Sequence, residues 1–112
     1  MSQLETDYFA DGLAVFAQGL RAGKFTIETA TRATLSRIAK LDLVLQAFEC
    51  VDSERAMQTA SALDQLRANG TDLGPLMGVT VAVKDIIAVD GMPTTHGSNY
   101  QADHLLLSLI HI

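Results

Sequence analysis

The stretch VTVAVKDIIAV, Val79 to Val89, decides how the chain is read. Nine of its eleven residues are apolar or threonine, which predicts a buried strand. Alternation sends Val79, Val81 and Val83 to one face, and Thr80, Ala82 and Lys84 to the other. Lys84 and Asp85 are the anomaly, because neither residue type is normally buried without a partner. Lys84 falls on the face with small residues, near the C-terminal end of the strand, where sites collect in α/β sheets. Pattern alone leaves two readings open. The stem can lie along the sheet while the ammonium reaches water or a carboxylate such as Asp85. Alternatively, burial lowers the amine's pKa from about 10.4 by about 3–5 units, which makes it a base at neutral pH.

On the C-terminal side, DGMPTTHGS (Asp90 to Ser98) is turn chemistry. On the N-terminal side, GTDLGPLMG (Gly70 to Gly78) is a loop. A helix precedes it, capped by Asp52 or Ser53, with Ala56, Ala60 and Leu63 on its inner face and Asn69–Gly70 at its end. LVLQAFECV, Leu43 to Val51, is a second strand candidate. Two amphipathic helices come first. One spans roughly residues 5 to 21, with Phe9, Leu13, Phe16 and Leu20 in a stripe and Gly23 as its stop. The other is N-capped by Thr26, with Ile27, Ala30, Thr34, Leu35, Ile38 and Leu41 on one side. Helices interleaved with strands predict a mixed α/β fold.

The chain has 112 residues, 48% apolar and 19% charged, enough for a core and unlike a disordered tail. A net charge of -5 with eight scattered Lys and Arg argues against direct nucleic-acid binding. Cys50 is the single cysteine, so no internal disulfide or cysteine-rich metal site is expected, and its apolar neighbours predict a buried, inert thiol. The acidic start MSQLETDYFA lacks a signal-peptide pattern, and no apolar run is long enough to span a bilayer. A cytoplasmic protein without membrane contact is expected.

The segment GPLMGVTVAVKDIIAVDGMPTTHGS, Gly74 to Ser98, resembles the lysine segment of the amidase signature family. The matching positions are Gly74, Leu76, Gly78, Lys84, Asp85, Gly91, Thr94, Thr95, Gly97 and Ser98. The upstream LQAFECVDSERAMQTASALD is similar to the strand and alanine-rich helix that precede this segment in the family. One departure is Thr80, where the family usually has proline; threonine is a good strand residue and keeps its N–H. The resemblance covers roughly residues 5 to 104. It implies the N-terminal part of the amidase signature fold, a mixed β-sheet flanked by helices and truncated, as a partial domain over residues 1–104.

It also implies amide C–N cleavage by a Ser–cis-Ser–Lys triad with no metal and no organic cofactor. Lys84 is then the base, taking a proton from the nucleophilic serine through a bridging serine. From the strand pattern itself, Asp85 reads as an adjacent charge on the opposite face that caps a turn or meets a backbone N–H. Thr94, Thr95 and Ser98 hydrogen-bond around the lysine or shape the site floor, and Gly97 allows close backbone approach. Ser98 is not a nucleophile candidate, since no Gly-x-Ser-x-Gly or Ser-x-x-Lys pattern surrounds it. His96, His104 and His111 lack metal-ligand spacing and are expected to be solvated loop residues.

No residue matches the family's glycine- and serine-rich segment, so the nucleophile and oxyanion hole are expected to lie outside this chain, which alone should be inactive. LLLSLIHI, Leu105 to Ile112, departs from the family and reads as an artefactual tail, resembling a translated adapter or a frameshift. Three functions follow, in order. The first is an amidase acting on a small-molecule amide. The second is the A subunit of a tRNA-dependent amidotransferase, which alone among them requires partner subunits. The third is a non-catalytic helical module docking through YFADGLAVFAQGL; it explains the stripes but not Lys84–Asp85 or TTHGS.

Overall fold

The computed structural model describes residues 7–95, which carry three helices: α1 (Leu13–Arg21), α2 (Ile27–Leu45) and α3 (Ser53–Ala68). The chain divides into two compact units, one formed by residues 1–45 and 53–80, the other by residues 46–52 and 81–112.

In the first unit α2 packs on α3, and the core gathers Phe16 and Leu20 of α1, Ile27 and Ala30 of α2, and Ala60 of α3. Each of the large side chains contributes about 1.5–3 kcal/mol by leaving water. α1 begins eight residues later than the stripe predicts, at Leu13 rather than residue 5. Asp7 diverts the chain by accepting the Phe9 N–H at 3.0 Å in an Asx-type turn, and Gly12 adopts φ +94°. The turn still delivers Phe9 to the core, stacked on Phe16 with ring centroids 4.0 Å apart. The apolar pattern is a packing signal rather than a helical one.

α3 secures the junction between the first two helices. Three N–H groups at the start of α2 find side-chain acceptors: Ile27 and Glu28 each donate to Asp64 at 2.9 Å, and Thr29 donates to Thr26 Oγ1 at 3.0 Å. One turn further along α3, Arg67 Nη1 donates to the Leu20 carbonyl at the end of α1, at 2.6 Å. Asp64 and Arg67 lie 3.6 Å apart and are both largely shielded from water. An acid therefore meets the positive end of one helix and a base the negative end of another. α1 and α3 end alike: Lys24 N–H bonds to the Gly19 carbonyl and Gly23 N–H to that of Leu20, while Thr71 and Gly70 do the same with Leu66 and Arg67. These are Schellman closures with glycine in the left-handed position, as the sequence predicts at Gly23 and Gly70.

The predicted strand over Leu43–Val51 is not formed. α2 continues through Leu45 and ends where Gln46 takes φ +50°. Leucine, aspartate and valine there continue the helix without a breaker. Cys50 is exposed rather than buried, in the irregular segment that follows. Val79–Val89 also lacks a strand: residues 79–84 are irregular and residues 85–86 turn. A strand requires a neighbour to satisfy its N–H and C=O groups, and none is present among the described residues, so the mixed sheet is not seen. No helix among the described residues is long and apolar enough to cross a membrane.

Candidate functional site

The glycine-framed turn ahead of the lysine segment belongs to the first unit. Asp72 accepts the Gly74 N–H at 2.9 Å, and two tight turns follow, Met77 N–H to the Gly74 carbonyl and Val79 N–H to that of Leu76. Gly78 is required twice. Its φ is +89°, and a Cβ there would stand 2.7 Å from Ile27 Cγ1 and 3.2 Å from Leu20 Cδ1. The Gly-x-Leu-x-Gly spacing thus seats Val79 against the helical core.

The second unit holds the charged pair. Lys84 ends the irregular run, and its carbonyl accepts the Ile87 N–H at 2.9 Å, closing a turn with Asp85 and Ile86 at its corners. A second turn joins Met92 N–H to the Val89 carbonyl at 3.1 Å, with Gly91 at φ +80°. The chain then reaches Thr94 and Thr95, 2% and 4% exposed. The Asp85 carboxylate accepts two hydrogen bonds from Thr95, one from its N–H at 2.9 Å and one from its hydroxyl. The Thr95 hydroxyl is directed to the Asp85 carboxylate.

Lys84 is exposed and forms no ion pair among the described residues. Burial of Lys84 is not seen among the described residues. Its neighbours Val81 and Val83 are likewise 75% and 48% exposed, so this run is not packed into a core among the described residues. What the described residues provide is a lysine on a braced turn. Gly97, Ser98, His96, His104, His111 and the Leu105–Ile112 tail lie outside the described residues.

Sequence reasoning missed Asp64 and Arg67, which fix the helical base. Their one signal was an Asp-x-x-Arg spacing that places both on one face of α3. It gave Asp85 a backbone N–H as partner, which the Thr95 N–H supplies, but did not identify Thr95 as the donor.

The Amidase family model matches residues 29–105. The chain is 42% identical over 98 residues to the A subunit of the glutamyl-tRNA(Gln) amidotransferase of Salinispora tropica, covering 88% of this chain and 20% of the relative. It is 46% identical over 79 residues to the protein of the same name from Acidothermus cellulolyticus, covering 70% of this chain and 16% of the relative. Among solved structures, a chain from a vestigial protein complex bearing on the evolutionary origins of an s-triazine catabolic enzyme matches at TM-score 0.75 and 31% identity, over 80% of this chain and 20% of that one. The chain thus spans about a fifth of the length of the relatives it matches. With the family model covering well over half of its residues, the chain belongs to the amidase signature family.

Proposed function

We propose that the chain is the lysine-bearing part of the A subunit of a glutamyl-tRNA(Gln) amidotransferase, and that Lys84 is the base of its amide-cleaving site. One observation carries this reading: relatives of that name are 42% identical over 98 residues and 46% over 79, through the matched lysine segment. The order of the sequence-based functions changes accordingly, with the amidotransferase ahead of the free-standing amidase.

In this reading a serine supplied by sequence beyond the shared part attacks the carboxamide carbon. Its proton passes through a bridging serine to the unprotonated Lys84 Nζ. The C–N bond breaks, ammonia leaves with the returned proton, and water resolves the acyl-enzyme. The ammonia is used on a glutamyl-tRNA held by partner subunits, in the cytoplasm. The mixed sheet belongs to the same proposal: Val79–Val83 becomes a strand once neighbouring strands of the whole domain pair with it, and the same closure desolvates Lys84. Residues 1–104 form the family part and residues 105–112 a tail outside it.

A second reading, a hydrolase releasing ammonia without tRNA, is favoured by the solved neighbour, whose complex concerns an s-triazine catabolic enzyme. The two separate on purified whole protein assayed for ammonia release from glutamine, with and without partner subunits and glutamyl-tRNA. Stimulation by both additions and amide formation on the tRNA supports the first. Full turnover on small amides, indifferent to both, establishes the second.

A further inference from the structure

We propose that Asp85 is a positioning residue, which holds the Lys84 turn in place by accepting both polar hydrogens of the buried Thr95. The proposal rests on the reading of Lys84 as the base. Asp85 has a nearer apparent use, as an ion-pair partner for the adjacent ammonium. The geometry points elsewhere: its carboxylate takes the Thr95 N–H at 2.9 Å and the Thr95 hydroxyl, while Lys84 forms no ion pair among the described residues. An ion pair would also favour the charged lysine and oppose its work as a base.

Two bonds from one residue to one carboxylate fix orientation as well as distance, and bonds to an ionised acceptor are the stronger kind. They join residues ten apart in sequence, Asp85 and Thr95, and Thr95 is 4% exposed. The Lys84 carbonyl begins the turn that Asp85 corners, so anchoring Asp85 anchors the lysine backbone. The lysine stem has four rotatable bonds and no other described anchor, so the backbone position decides where Nζ can reach. A displacement of about 1 Å at a reacting group can cost about a hundredfold in rate.

The test uses the whole protein with its partner subunits. Thr95→Val removes the hydroxyl donor and keeps the volume; Thr95→Ser keeps the hydroxyl. The brace predicts that Thr95→Val lowers kcat about tenfold to a hundredfold with KM within about twofold, and that Thr95→Ser recovers most of the loss. An unchanged kcat in Thr95→Val, a loss confined to KM, or no recovery in Thr95→Ser overturns it. Lys84→Ala run in parallel separates the two claims: if it retains turnover, the base reading fails, whereas an inactive Lys84→Ala with a fully active Thr95→Val removes the brace alone. In the 112-residue chain, amide exchange supplies an independent readout. The Thr95 amide is expected to be protected and to lose that protection in Asp85→Ala; an unprotected Thr95 amide in the unmutated chain overturns the proposal whatever the activities.

Discussion

Gly78 shows how one residue seats a turn on the helical core of the first unit. Its left-handed backbone turns the chain, and its missing side chain lets that turn rest on Ile27 and Leu20. Gly78→Ala meets both obstacles, a disfavoured φ and a Cβ 2.7 Å from Ile27, in a place where Ile27 is itself 1% exposed and has little room to yield. We expect it to destabilise the 112-residue chain by about 2–4 kcal/mol, read as a shift in the urea midpoint without a change in slope. A midpoint matching the unmutated chain would show that the turn does not sit on the core. Gly74 needs the same left-handed freedom, at φ +122°, but has open space around it, so Gly74→Ala should cost less than Gly78→Ala. Lys84 is the opposite kind of residue. It is exposed and forms no ion pair among the described residues, so its substitution should leave stability nearly unchanged.

Among the elements, α2 depends on its neighbour for its first turn. Thr26 was legible as a cap from its place before an apolar-periodic run, and it does receive the Thr29 N–H. The larger contribution, from Asp64, was not legible, because the donor and acceptor are 37 residues apart and only packing of α3 on α2 brings them together. Asp64→Ala leaves the Ile27 and Glu28 N–H groups without their acceptor and leaves Arg67 without its acid. We expect a loss of about 1–3 kcal/mol, larger than that of Thr26→Ala, which removes one backbone cap and an exposed hydroxyl–hydroxyl bond to Thr29. Equal effects from the two substitutions would contradict that account. The helix ends were easier to read than the strands. A glycine at the end of a helix carries its own conformational signal, whereas a strand is defined by a partner that can lie far off in sequence. For that reason Gly23 and Gly70 fell where expected, while Val79–Val89 and Leu43–Val51, equally apolar, did not form strands among the described residues.

For the molecule as a whole, the described residues build a helical unit and, separately, a turn at Lys84 whose Asp85 bonds to Thr95, and they leave apolar surface uncovered. Leu43, Val44 and Leu45 at the end of α2 are 80%, 85% and 67% exposed. Contiguous apolar surface of this kind promotes association. The 112-residue chain is therefore expected to self-associate in sedimentation experiments, and Leu43→Lys with Val44→Glu to reduce that association; a monodisperse monomer at all concentrations would contradict the expectation. The family was legible at the level of motif: the spacing from Gly74 to Ser98 pointed to the family that the comparison with known domains then showed. The surroundings of Lys84 were not legible: its exposure depends on which segments pack near it, and no pattern within eleven residues encodes that. The decisive measurement is turnover by Lys84→Ala in the whole protein, with partner subunits present and a folded state verified by its melt. We predict a fall of about a hundredfold to ten-thousandfold in kcat with an unchanged melting midpoint. Turnover comparable to that of the unmutated protein would contradict the role of Lys84 as the base.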